Sequence, residues 1–479
     1  MFKHTFKYEW INLLRDKWVL TLLVLFLGIT LFAVRNGQEK VNDRVVGITR
    51  EKEKLATLDK EIAADIDSLT RKLKPTPEPW LDPRSLTTIG WDAGRVVAMD
   101  PQPLALVATG QSDLFTHYAK PKIYGEAYTL GFSELSNPVQ LLFGSFDLAF
   151  VCIYLLPLLV LAFSYNILSA EKESGVLRLT MAQPISLYRW LFGKLFLRFA
   201  ILSFIVIISI IFSLSFFGVE VLRNIGAIGK LVLIVTAYTF FWFFVAFLIN
   251  LLGNSSGSNA VSLVAMWVVI VLLVPSVISQ TANIFYPVPS RTILIHEYRE
   301  AKAIAEKKAD EILKSYYREH PELAPKDTTQ QNQYSWWLGY FASSDLVNKS
   351  VKPVLDEYNE SLENQQAWVN RLRFLSPAIL VQDAMNDLAG TSSAHYADFR
   401  NQVIEFADTW RNYFLPRMFR NGTMKPEDLA TLPQHTYTIA GVPGNYASDF
   451  LGILFCLGLV AGGSWWVYKR HGLHVIAAG

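Results

Sequence analysis

Cysteine is almost missing from this chain, with two residues in 479, which excludes a disulfide framework and a multi-cysteine metal site. Charge is scarce as well, at 18% of residues, where a soluble domain carries about 25%. Neither sign prevails: 44 Lys and Arg face 42 Asp and Glu, so no global basic field points to nucleic acid. What the chain has in quantity is apolar surface, with 51% hydrophobic residues, 13% aromatics and a mean hydropathy of +0.25. That balance describes a membrane protein with substantial water-exposed parts.

Six stretches are apolar over the roughly 20 residues that a bilayer core requires: 18–34, 141–164, 195–217, 231–252, 261–278 and 450–467. Basic residues ahead of the first give it the look of a signal peptide. The sequence after it, RNGQEKVNDR, has no small-residue cleavage site, so an uncleaved span is expected. An even number of spans puts both termini on one side. Residues 1–17, 165–198 and the tail at 468–479 hold eleven Lys and Arg against four acids, a balance of +7, which leaves −5 for the rest. By the positive-inside rule these segments are cytoplasmic, and 35–138 and 280–447 are expected outside. Both insertions lack cysteine, and Cys152 and Cys456 fall in spans as small packing groups. Outer domains without disulfides fit the periplasmic face of a bacterial inner membrane.

Residues 41–74 read as one long helix, with Ile48, Leu55, Ile62 and Leu69 at seven-residue spacing. The neighbouring row Val45, Lys52, Asp59, Ile66, Leu73 is apolar only at its ends. An amphipathic helix packed on its own domain is therefore expected rather than a coiled coil, closed by Pro75, Pro77 and Pro79. In the second insertion, helices are expected at 291–319, 351–372, 377–389 and 396–414. The cluster Tyr334, Trp336, Trp337, Tyr340 and Phe341 is either core or a surface for a ligand or the membrane interface. Catalysis finds no footing in these insertions. His296-Glu297-Tyr298-Arg299-Glu300 begins like a zinc-protease motif, but Glu300 stands where the second histidine belongs. No Gly-x-Ser-x-Gly elbow occurs in them. Within the membrane, Asp147 is read as the one acid near a span, at an interfacial cap position. Pro157 and Pro275 are read as kink points, and the aromatic run 238–247 as lipid-facing.

The strongest signal lies between the second and third spans. Ser169-Ala170-Glu171-Lys172-Glu173-Ser174-Gly175-Val176-Leu177-Arg178-Leu179-Thr180 leads to Ala182-Gln183-Pro184-Ile185-Ser186, then to Tyr188-Arg189-Trp190-Leu191-Phe192-Gly193-Lys194. Physically this is a short charged helix leaving the membrane, a break at Gly175, another short helix, and a return begun by Pro184. Lys194 and Arg198, one turn apart, are expected to snorkel to the headgroups. Residue by residue, any loop between spans needs such caps and anchors; the ordered string is more specific. It resembles the cytoplasmic coupling loop of type-2 ABC exporter permeases. The order of elements is similar too: a basic amphipathic helix before span one, here residues 2–17 lying in the interface, then six spans with the charged loop after the second. Leu375-Ser376-Pro377-Ala378, Leu388-Ala389-Gly390-Thr391 and Phe399 resemble a bacterial permease subfamily with large insertions after spans one and five and an external domain of no assigned function.

The resemblance implies an all-α membrane protein with an N-terminal interfacial helix, six transmembrane helices and two mainly helical periplasmic insertions. It implies that the loop at 165–194 docks a separate cytosolic ATPase through Glu171, Lys172, Glu173, Gly175, Arg178, Pro184 and Ser186. In that assignment the glutamates are acidic contacts, Arg178 is a basic one, and Gly175 lets the loop turn. Gly193-Lys194 and Gly229-Lys230 are each followed by leucine and lack the earlier glycine of a Walker A string. ATP and Mg would then belong to the partner ATPase, with no cofactor and no enzymatic activity on this chain. A second copy or a homologous permease would complete a dimer, with lipid around it and a periplasmic partner at the outer face. The alternative is a membrane-anchored sensor or scaffold with a periplasmic helical partner-binding domain. The glycine-broken acidic loop and the four spans between the insertions argue against it. A membrane enzyme lacks a convergent set of His, Cys or carboxylates.

Overall fold

The computed structural model describes residues 9–11, 13, 15, 17–75, 77–78, 81–110, 116–123, 145–182, 186–252, 255–319, 334–439 and 444–477. Most of the interfacial helix expected at 2–17 and the start of the span expected at 141–164 lie outside these residues. Six helices are long and apolar enough to cross a membrane: Val19–Thr70, Leu148–Glu173, Leu187–Phe216, Ile225–Leu252, Ser256–Phe285 and Tyr446–Arg470, the first to sixth spans below. They alternate in direction. The connection after the second span therefore meets the start of the fifth, and Ser186 meets Tyr468 near the end of the sixth. This is the loop end of the bundle; both insertions leave from the other end.

The fourth span is the most buried of the six. Tyr238, Trp242, Phe243 and Phe247 are fully enclosed, which corrects the lipid-facing reading of the 238–247 run. A helix that is apolar all round has no preferred face by hydropathy, and this one is surrounded by the second, third and sixth spans. The two prolines sit directly after π-helical turns, Val151–Leu155 and Val268–Leu273. A ring nitrogen cannot donate to a carbonyl one turn back, and a widened turn absorbs the misfit. Side-chain hydroxyls take up carbonyls within these turns: Tyr238 donates to Ile153 O at 3.1 Å, and Ser376 to Ile270 O at 2.8 Å. Hydroxyls from neighbouring elements commonly satisfy such groups in membrane helices.

The first span does not stop at the membrane boundary. Its helix runs unbroken from Trp18 to Thr70, so the helix expected from residue 41 is the continuation of the span. Ile48, Ile62, Ile66 and Leu69 are buried along it, as an amphipathic helix on its own domain requires. That domain is shared. Ile62, Ile66, Leu86, Ile89, Val97 and Ile123 from the first insertion form one core with Tyr334, Phe341, Phe399, Trp410 and Phe414 from the second. Trp410 donates its indole N–H to Gly90 O at 3.0 Å across that core. The helices here are Leu86–Asp92, Arg291–Lys307, Ala309–Glu319, Ser335–Leu372, Pro377–Ala389 and Ser393–Phe419. One short antiparallel pair, Val97–Ala98 with Tyr118–Ala119, is the exception to an all-helical chain among the described residues. Of the aromatic cluster, Tyr334 and Phe341 are core, whereas Trp336 is 69% exposed.

Two pieces of the insertions pack in the bundle core itself. Leu380, Val381, Ala384 and Met385 of Pro377–Ala389 share a core with the spans, and so do Leu104, Leu106, Val107 and Ala108 of a non-helical turn. Asp147 holds that turn: its carboxylate accepts from Thr109 N and Oγ1 at 2.9 and 2.7 Å, and from Phe150 N at 2.8 Å. The cap position read from sequence is thus occupied, with Thr109 as an added partner.

Candidate docking loop

Below the second span the chain makes a turn, then the helix Ser169–Glu173, a break, and the helix Val176–Met181. Gly175 sits at the break with φ +74°, and an added Cβ would meet nothing within 4 Å. Glycine is used here for its backbone freedom, not for space. The root of the loop is pinned by Asn250 of the fourth span. This fully buried side chain donates to Ser164 O at 3.0 Å and accepts from Leu168 N at 3.2 Å. Asn259 of the fifth span donates to Tyr165 O at 3.2 Å. Buried backbone groups that leave a helix need such partners.

The two glutamates of the loop point in different directions. Glu173 accepts from Ser256 N at 2.7 Å and Ser256 Oγ at 3.0 Å. Its carboxylate therefore rests on the N-terminus of the fifth span, where the helix dipole favours an anion. Ser169 and Ser256 hydroxyls meet at 2.8 Å beside it. Glu171 is ion-paired with Lys194 at the base of the third span. Both acids flagged in the sequence are therefore engaged within the chain. The exposed residues of the loop are Glu173, Ser174, Gly175, Val176, Arg178, Leu179 and Ala182, with Leu179 74% exposed beside buried Leu177. Lys172 is half-buried, and Ser186 stands at the N-cap position of the third span without a side-chain capping bond, its hydroxyl 3.3 Å from that of Tyr468. Pro184 falls outside the described residues.

Lys194 and Arg198 do not snorkel to headgroups. Their side chains are 12% and 16% exposed, and both face Glu9. Arg198 donates Nε and Nη2 to Glu9 Oε1 at 2.8 and 2.7 Å and Nη1 to Phe163 O at 2.7 Å. Lys194 lies 3.5 Å from Glu9 Oε2 and over the Trp190 ring. Burial pushes the Glu9 carboxyl up, but Arg198 and Lys194 outweigh it and hold it below its ordinary value. In the sequence Glu9 stands out only as one of the four acids of the segments expected to be cytoplasmic. One signal was available: at helical spacing it falls on the same row as Phe2, Phe6 and Leu13, an acid on an otherwise apolar stripe.

A second buried acid was missed at the other end of the bundle. Asp449, in the first turn of the sixth span, has no exposed surface and lies 3.2 Å from Arg373 Nη1, so Asp147 is not the one acid near a span. Arg373 also faces Asp383 at 3.8 Å and donates to Ser448 Oγ at 2.6 Å. No group of three or more potential metal ligands occurs among the described residues. Gly253-Asn254-Ser255-Ser256-Gly257 has the spacing of a hydrolase elbow, but a helix rather than a strand precedes it, and Ser255 caps the fifth span by accepting from Ser258 N.

Residues 291–438 match a family described as a domain of unknown function (DUF3526). The matched stretch contains the Leu375-Ser376-Pro377-Ala378 and Leu388-Ala389-Gly390-Thr391 strings. Among curated proteins none shows significant similarity to the chain.

Proposed function

We propose that this chain is the transmembrane permease subunit of an ATP-driven exporter, with ATP hydrolysed on a separate cytosolic subunit and a second permease completing the path. In this reading it lies in a bacterial inner membrane with both termini cytoplasmic and both insertions in the periplasm. One observation carries the proposal. The glycine-broken helix pair between the second and third spans presents Val176, Arg178 and Leu179 outward, while Glu171 and Glu173 tie it to the third and fifth spans. A loop built this way transmits a push at its surface to two membrane helices. In this reading the docking contact is the second short helix, Val176–Met181.

The test is capture of a Walker A ATPase encoded beside this chain. Arg178→Glu with Leu179→Asp should weaken capture at least about tenfold, or ~1.4 kcal/mol, without changing the unfolding temperature of the purified permease. Undiminished capture and undiminished ATPase stimulation would overturn the proposal.

A further inference from the structure

We infer that Glu9, Lys194 and Arg198 are positioning residues that join the N-terminal segment, the loop 169–182 and the base of the third span into one mechanical unit. The inference takes that loop as the docking element proposed above. Three separate stretches of chain meet at two basic side chains. Lys194 holds Glu171 of the loop and faces Glu9 of the N-terminal segment; Arg198 holds Glu9 and the carbonyl of Phe163 in the second span. Their i, i+4 spacing puts both basic groups on one face of the third span. Two acids meet two bases, so the cluster is neutral as a unit, and all four side chains are mostly buried, Glu9 most of all at 7% exposure.

A buried ion cluster is no more stabilising than apolar packing of the same volume, because desolvation offsets the attraction. What it adds is direction. Aliphatic side chains slide past one another, whereas Arg198 accepts only one placement of Glu9 and of the Phe163 carbonyl. Burial also shields the cluster from salt. Glu173, on the same short helix as Glu171, holds the fifth span. A displacement of the helix Ser169–Glu173 is therefore shared between the fifth span, through Glu173, and the third span with the N-terminal segment, through Glu171 and Lys194.

The closing experiment has two arms. Cysteines at Ile11 and Leu179, both exposed, carry spin labels, while native Cys152 and Cys456 are buried. The label-to-label distance distribution should be narrow in the otherwise unaltered protein and broader in Glu9→Gln and Arg198→Met. A distribution unchanged in Glu9→Gln would overturn the linkage, whatever the loop docks. In the second arm, Glu9→Gln should capture the ATPase as well as the parent does but lose at least about fivefold of its effect on ATP turnover, the usual lower range of coupling between sites. A purely structural role would lower yield and capture together. Full retention of turnover coupling would also overturn the inference. Failure of the parent itself to capture an ATPase would instead sink the functional proposal, leaving the first arm to decide the linkage.

Discussion

At the scale of single residues, this protein repeatedly buries a charge against an opposite one. Arg373 and Asp449 are the clearest pair, at 7% and 0% side-chain exposure and 3.2 Å apart. Removing Arg373 leaves the fully buried Asp449 without its cation, which costs about 3–5 kcal/mol, whereas removing both leaves only Asp383, which is 28% exposed. Arg373→Met should therefore lower the unfolding temperature in detergent more than the double change Arg373→Met with Asp449→Asn. A double variant as unstable as the single one would show that the guanidinium matters for something other than Asp449. The sequence displayed these residues without displaying the pairing. Glu171 and Glu173 stand out as an acidic motif, but nothing in a linear string tells that one reaches Lys194 and the other Ser256.

At the scale of elements, helices were legible and their surroundings were not. Each of the six helices long and apolar enough to cross a membrane overlaps one of the apolar runs that a bilayer requires, with the helix of the first continuing to Thr70. Whether a glycine in that helix is packed or free depends on what crosses it. A Cβ on Gly37 would stand 2.1 Å from Leu106 O of the buried turn, whereas on Gly47 the nearest atom is Tyr118 Cε1 at 3.9 Å. Gly→Ala inside a helix ordinarily gains about 0.5–1 kcal/mol. Gly47→Ala should show that gain in thermal unfolding, and Gly37→Ala should reverse its sign by driving the turn off the helix. Equal shifts would mean that the 104–108 turn yields freely. The helix Pro377–Ala389 was expected as one piece of an external domain. Its amphipathic pattern said only that one side is apolar; that the side packs on membrane helices is a tertiary fact.

At the scale of the whole molecule, the two insertions share one core although residues 139–279 lie between them. Ile66, Leu86 and Ile89 face Trp410, Phe414 and Tyr334 in a single core, and the Tyr334 hydroxyl bridges Leu86 N and Gly422 O. Residues 291–438 expressed alone should therefore fail to fold cooperatively. Supplying residues 41–123 should restore a sharp thermal transition by circular dichroism. A sharp transition for 291–438 alone would contradict the shared core, since about 25 cal/mol for each Å² of apolar area would be lost without the partner segment.

The sequence by itself determined the solvent of each segment: apolar runs longer than a bilayer is thick cannot remain in water, and charged, proline-punctuated stretches cannot remain in lipid. It determined the helical period and the glycine break at residue 175 for the same local reasons. Only the tertiary structure decided which apolar faces meet, which of the loop's charges are engaged inside the chain, and how two distant insertions close on one core. Those outcomes depend on contacts between residues far apart in the chain, whose direction hydropathy and spacing do not encode.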